Sequence, residues 1–451
     1  MSDVRRLLVI SYYFGPDGSV GGLRWAGITK YLTRFGWEVS VVTAAPPVGN
    51  GTSGEAHVEW CPRLWTFLDG YRLLRRLAFG RSPGAFANGS RVVSGAELPG
   101  PLRQLRRELA ALLGFPDESR GWVSRAALRA RAVIRRFQPQ VIVSSGPPHS
   151  AHLVAGLATI GSAARWLIDL RDPWGGPHTK AWDADPRVGS RTYRGLSRRL
   201  ERLAFGSAHG VITNTHQFAA ALAARYPAVP VACVPNGVDP ACLPPPASSR
   251  YPGLGIAYAG TLYASRDLGP VVRALRIFLE RYPEAARAGS KLRIAGAAEL
   301  RHARAFSDAV SAARMEQYVE LLGPLPRAQA LDMVSRSRLA VVLAQEQELQ
   351  IPAKLYESVA MGVPTLVVAS PDSAAGGEGN RVGAIVRDSD DVEGIASVLE
   401  QLWRDAAAER SSCPVPITYE AIAPLVDDLL RSDLTGSAWG RTQTGRGATC
   451  S

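Results

Sequence analysis

Two patterns alternate along the chain: short unbroken apolar runs, and longer stretches in which apolar residues recur every third or fourth position. Runs of the first kind suit strands buried on both faces of a parallel sheet, and stretches of the second suit the helices that cover it. LLVIS at 7–11 opens the series. The glycine-containing loop FGPDGSVGGLRWAG follows, then a helical pattern through Trp25, Ile28, Tyr31 and Leu32, then the strand EVSVVTA. That order is a βαβ unit, the start of a doubly wound fold. Further strands are predicted at VIVSSG (141–146), RWLIDL (165–170) and GVITN (210–214), with helices over AHLVAGLATI and from Arg191 to Phe205.

DPACLPPPASSRYP at 240–253 concentrates proline and small polar residues and reads as a linker. The alternation then restarts. GIAYAG (255–260), KLRIAG (291–296), YVELLG (318–323), LAVVLA (339–344) and PTLVVAS (364–370) predict strands. Helices are predicted from Leu268 to Tyr282, Arg301 to Ala313, Arg327 to Ser335 and Pro352 to Met361. The pattern implies an α/β fold of two Rossmann-like domains, each a doubly wound parallel sheet, over 1–235 and 236–414. A helix within 415–432 is expected to pack back toward the N-terminal domain, and the tail 433–451, rich in glycine, serine and threonine, to be disordered. An arginine-rich helical insertion occupies about 46–138. Within it, WTFLDGYRLLRRLAF places Arg72, Arg75 and Arg76 on one helical face and Leu68, Tyr71, Leu74 and Ala78 on another. A basic amphipathic helix suits an anionic membrane surface, and packing on its own domain explains the same pattern.

Composition narrows the picture. At 451 residues, 46% hydrophobic and only 20% charged, the chain has material for two buried cores and is not mostly disordered. A formal charge of +12 attracts anions such as sugar nucleotides, phospholipid head groups or nucleic acid. The arginines are scattered and no aromatic-basic repeat appears, which argues against nucleic acid. The five cysteines are odd in number and never at CxxC spacing, so neither a zinc site nor a disulfide framework is expected, and a reducing compartment is the simplest setting. The first apolar run stops short of a signal peptide's hydrophobic region, and no run reaches the roughly 18 apolar residues that span a bilayer. A cytoplasmic protein is expected, with contact at the inner face of the membrane left open.

The candidate chemistry sits in four loops. Gly15, Gly18, Gly21 and Gly22 lead from the first strand into a helix, where backbone amides face a phosphate or simply make a tight turn. GSVGG is not GxGxxG and no acid ends the next strand, which disfavours hydride transfer. SSGPPHSAH brings His149 and His152 to a sheet edge. A histidine there accepts an acceptor's hydroxyl proton or, alternatively, caps the helix that begins at Ser150. DLRDPWGG sets Asp169, Arg171, Asp172 and Trp174 at the carboxyl end of a strand, where open α/β sheets hold ligands. The plainer reading has Asp172 capping a turn and Arg171 paired with Asp169. In IPAKLYESVAMGVP, Pro352 suits a first helical turn and leaves the amides of Ala353, Lys354 and Leu355 free at the positive end of the dipole. Lys354 adds a charge, and Glu357 at i, i+3 suits the two hydroxyls of a ribose, unless the pair is a plain surface ion pair worth under ~1 kcal/mol.

GLRWAGITKYLTRFGWEVSVVT, VPNGVD (234–239), AYAGTL (257–262), LLGPLP (321–326) and AKLYESVAMGVPTL together resemble the GT-B glycosyltransferases of family 4, over residues 7 to 430 or so. DLRDPW resembles a bacterial subgroup that builds polysaccharide or lipid-linked glycans. The resemblance implies two domains facing a central cleft. It also implies transfer of a sugar from a nucleotide-diphosphate sugar, UDP-sugar favoured, to a hydroxyl of a glycan, lipid-linked or small-molecule acceptor. Such enzymes work without metal or cofactor, usually with retention, and stabilise the leaving diphosphate with basic side chains and helix dipoles. Carried onto this sequence, donor contacts fall to Gly21, Gly22, Arg24, Gly260, Thr261, Arg266, Leu325, Ala353, Lys354, Leu355 and Glu357. Catalysis falls to His149 and Asp172, and acceptor contacts to Arg171 and Trp174. The sequence departs from the pattern in three places. Of the family's two glutamates separated by seven residues, Glu357 matches the second, but Leu349 stands at the first, with Glu346 and Glu348 nearby. Thr261 replaces an arginine, and Arg266 a lysine. A sugar-nucleotide epimerase of the same shape and a non-catalytic nucleotide-sugar or membrane-surface binding protein are the competing readings.

Overall fold

The apolar runs become two sheets in the computed structural model, which describes residues 4–15, 20–46, 52–53, 56–70, 73–74, 100–174, 190–262, 266–298, 300–405, 417–432 and 439. The N-terminal sheet contains β1 (Arg5–Ser11), β2 (Trp37–Thr43), β3 (Thr52–Ser53), β4 (Ala56–Trp60), β5 (Val141–Gly146), β6 (Arg165–Leu170), β7 (Gly210–Thr213) and β8 (Val231–Cys233). Their order is β3-β4-β2-β1-β5-β6-β7-β8, parallel except where β3 meets β4. The C-terminal sheet contains β9 (Gly255–Ala259), β10 (Lys291–Ala295), β11 (Val319–Gly323), β12 (Leu339–Leu343), β13 (Thr365–Val368) and β14 (Ile385–Arg387), in the parallel order β11-β10-β9-β12-β13-β14. This is the expected GT-B arrangement. In each sheet the first strand lies inside, between β2 and β5 or between β10 and β12, so the loops leaving its carboxyl end diverge from those of its neighbour. Ligands of doubly wound folds bind at such switch points.

Several elements escaped sequence reading. β4 has only Ala56 fully buried, so its sequence AHVEW lacks a continuous apolar run. The helix Ala374–Arg381 reads AAGGEGNR and forms because the Ser373 hydroxyl accepts from the amide of Gly376 at 3.1 Å. The helix Val392–Arg404 is capped in the same way by Asp391. The segment expected to stand apart as an insertion is in part sheet and crossover. β4 extends the sheet, and the helix Val123–Phe137 buries Ala126, Ala130 and Val133 in the same core as Leu8, Ile142 and Ile168. The proposed basic face of Arg72, Arg75 and Arg76 lies outside the described residues, as does most of 433–451.

The C-terminal helix Tyr419–Arg431 packs against the first helix, Val20–Leu32, and joins the N-terminal core through Ile422, Ala423, Val426, Leu429 and Leu430. Gly27 makes the approach possible: a Cβ there would lie 2.1 Å from the Tyr419 ring. The same segment clamps the connection between the domains. Val238 donates to the Ile417 carbonyl, and the Tyr419 amide donates to the Val238 carbonyl, each at 2.9 Å. Among the described residues no helix is long and apolar enough to cross a membrane.

Candidate active site

On the C-terminal side the site begins at the helix Ala353–Ala360, which follows β12. Pro352 precedes it in extended conformation and no side chain caps it. Pro352 has no N–H, and a helix's first amides have no partner within the helix, so the open end carries partial positive charge. Leu355 corrects the expectation made for it: its amide donates to the Pro352 carbonyl at 3.0 Å and its side chain is fully buried, so the seat consists of Ala353 and Lys354. Lys354 runs past Gly260 at the end of β9. A Cβ on Gly260 would come within 3.2 Å of the lysine Cε, which is a reason for glycine at that position. Burial pushes the Lys354 ammonium below its ordinary pKa, Arg266 and Arg327 press the same way, and Glu357 opposes them. Two guanidinium groups and the Glu357 carboxylate thus act on the ammonium at this helix end.

That carboxylate is not a plain partner of Lys354. Glu357 is buried, and its Oε1 accepts from Arg327 Nη2 at 2.6 Å, while Arg327 Nη1 donates to the Cys242 carbonyl at 3.0 Å. Arg327 went unnoticed in the sequence, although it directly follows LLGPLP, because it opens a helix and looked like an ordinary first-turn residue. Leu325 packs beside Leu331 and Met333 below this corner, and Thr261 is exposed, its carbonyl accepting from the Tyr258 hydroxyl at 3.2 Å.

Across the cleft, the loops after β1, β5 and β6 form the N-terminal wall. Gly22 lies against the loop before it, where a Cβ would meet the Gly15 carbonyl at 2.9 Å, and Gly21 is half-buried beside it. Arg24, expected to meet a phosphate, is turned inward. It is 2% exposed, and four of its five N–H groups are engaged: Nε with Asp169 at 3.1 Å, Nη1 with the Pro235 carbonyl and Asn236 Oδ1, and Nη2 with the Val234 carbonyl. Asp169 also accepts from Trp25 Nε1 at 2.8 Å and the Ser145 hydroxyl at 2.7 Å. Asp169 is thus the anchor of DLRDPW, and Arg24 ties it to the interdomain strap VPNGVD.

Arg171 likewise turns inward, with Nε and Nη2 donating to the carbonyls of Gly146 and Pro147 and bracing the loop that carries His149. Trp174, expected on the acceptor side, is buried, and its ring stacks on His149 with centroids 4.9 Å apart and planes 10° from parallel. His149 does not cap the following helix with its side chain. Asp117 takes that part, accepting from the amide and hydroxyl of Ser150 at 2.8 and 2.7 Å. Asp172 bonds across to the C-terminal domain: its Oδ1 accepts from Gln350 Nε2 at 2.5 Å. Burial raises the Asp172 pKa, while Arg171, Gln350 and Arg266 oppose the rise.

His152 is structural. Its Nδ1 lies 2.9 Å from the Ser144 hydroxyl, which also accepts from Trp166 Nε1 at 2.9 Å, and burial pushes its pKa down to about 3. The unfolded imidazole takes up a proton near pH 6.5 and the folded one does not, so stability is lost as pH falls below about 6.5, at up to ~1.4 kcal/mol per pH unit from this group. His152→Gln should flatten the melting temperature against pH between about 6.5 and 4 relative to wild type. An unchanged slope would show that the group is not held neutral.

A cationic helix end facing loops from a second doubly wound domain is how a phosphorylated ligand is held between two sheets. Sequence comparison names the family: residues 21–237 match the glycosyl transferase 4-like domain, and residues 257–405 match the glycosyl transferases group 1. The chain belongs to the GT-B group 1 glycosyltransferases. This glycosyltransferase shares its fold with sucrose-phosphate synthase from Thermosynechococcus elongatus (14% identity, 95% of this chain and 98% of that one, TM-score 0.53). It also resembles HepE from Anabaena in complex with UDP and glucose (13%, 97% and 98%, 0.53). A third similar structure is the N-terminal domain of Candida albicans trehalose-6-phosphate phosphatase (13%, 94% and 96%, 0.56). No curated protein matches it in sequence. In this glycosyltransferase Lys354 lies beside Gly260 and is acted on by Glu357 and Arg266, Arg266 also acts on Asp172, and Arg24, Arg171 and Trp174 are engaged by neighbouring loops.

Proposed function

We propose that this glycosyltransferase moves a hexose from a nucleotide-diphosphate sugar, UDP-sugar favoured, to a hydroxyl of a glycan, lipid-linked or small-molecule acceptor, with retention and without a metal. The convergence of Lys354, Arg266 and Arg327 on the open end of the helix Ala353–Ala360 carries this reading. A diphosphate seated there meets two amides, the helix dipole and three cations, all of which act most strongly on the charge that grows as the glycosidic bond breaks. Glu357, one turn further along, accepts the ribose hydroxyls. The preference for uridine draws support from HepE, whose structure holds UDP and glucose.

His149 takes the acceptor's proton, and Asp172 faces the positive charge that develops on the sugar. Retention, the DLRDPW subgroup and a part in polysaccharide synthesis follow from the family pattern. A cytoplasmic location with contact at the inner membrane face accords with the net charge and with exposed Trp65 and Phe67 in the N-terminal domain.

The reading is tested by thermal shift with UDP-, GDP- and dTDP-sugars. A ligand at about 100 times its Kd adds about 2.7 kcal/mol of stability. Glu357→Ala should abolish the shift, and a variant that retains the full shift would rule out the ribose contact.

A further inference from the structure

We propose that Gln350 reads the transferred sugar, held in place across the cleft by Asp172; this rests on the donor reading above. A nucleotide-diphosphate sugar carries its phosphates in the middle. With the diphosphate at the open end of the helix Ala353–Ala360 and the ribose at Glu357 inside the first turns, the sugar projects the other way, past Pro352 and toward the residues before the helix. Gln350 is there, half-buried.

The backbone on this path is fixed by the N-terminal domain. The Leu349 side chain packs against that domain's apolar core, and its carbonyl accepts from the Thr215 hydroxyl at 2.7 Å. The Leu349 side chain is turned away and apolar, although it occupies the position where the family pattern has a glutamate. Gln350 follows directly, and its Nε2 donates to Asp172 Oδ1 at 2.5 Å, with Arg266 acting on the same carboxylate. A carboxamide combines donor and acceptor on one rigid plane. Together with a carboxylate and a guanidinium, it makes a mixed set that distinguishes sugar hydroxyls by direction. Because the set spans both domains, it is complete only when the cleft has this arrangement, which couples sugar recognition to closure.

The test measures Kd for UDP, UDP-glucose, UDP-galactose and UDP-N-acetylglucosamine by calorimetry on the full chain. The wild type should prefer one of the three sugars. Gln350→Ala and the length-matched Gln350→Met should keep the UDP Kd within about twofold and reduce the preference at least about tenfold, because a site built to bond a hydroxyl discriminates through that bond. The isosteric methionine guards against a packing defect in the alanine variant. Retained preference in both variants, loss of UDP affinity in both, or a wild type that binds UDP but shows no preference would overturn the proposal. A wild type that binds none of these compounds would instead overturn the donor reading beneath it.

Discussion

Lys354→Ala is expected to lower kcat by about 10²–10³-fold, the effect of removing one preorganised donor from a site of developing negative charge. Two observations put the expectation at this level. The ammonium is desolvated and pressed by Arg266 and Arg327, with Glu357 opposing them, and Glu357 already accepts from Arg327. An arriving diphosphate therefore relieves a cationic cluster, and the relief grows as the leaving group gains charge. The variant should keep the wild-type melting temperature without ligand, since it removes a desolvated cation among other cations. Steady-state kinetics against the donor checks the prediction. A loss confined to KM would mean that the lysine binds ground and transition states alike.

Asp169→Ala should destabilise the N-terminal domain by about 3–5 kcal/mol, the cost of leaving a buried charge without its partner. The carboxylate is fully buried and joins Arg24, Trp25 and Ser145, while Arg24 is 2% exposed and reaches on to Val234, Pro235 and Asn236. Removing the carboxylate strands the guanidinium and empties the Trp25 and Ser145 bonds together. Because Arg24 holds the strap that leads into the C-terminal domain, nucleotide binding should weaken as well. Urea midpoints followed by tryptophan fluorescence measure the first effect. A change below about 1 kcal/mol would mean that the pair is worth no more than a surface ion pair.

The fold was legible in the sequence wherever burial was two-sided. VIVSSG and RWLIDL became β5 and β6 over the residues read, because a strand covered on both faces must be apolar throughout. β4, β8 and the glycine-rich helix Ala374–Arg381 were missed, since a strand with one fully buried residue, an edge strand of three residues and a helix that depends on its cap lack that signal. At the site, the placement of Lys354, Glu357 and Gly260 could be read locally because it depends on one helix end and one strand end. The partners of Arg24, Arg171 and Trp174 could not be read, because sequence shows which polar groups lie near a cleft and not which groups lie behind them.

The sequence by itself determined two doubly wound domains, the strands buried on both faces with the helices between them, and a helix end suited to an anion, because apolar period, proline and glycine act over a few neighbouring residues. Only the tertiary structure decided how the polar groups divide. Asp169 and Asp172 are three positions apart in one motif, yet one is sealed beneath Arg24 and the other meets Gln350 from the opposite domain. Their difference comes from partners far away in the chain, which are joined by packing alone.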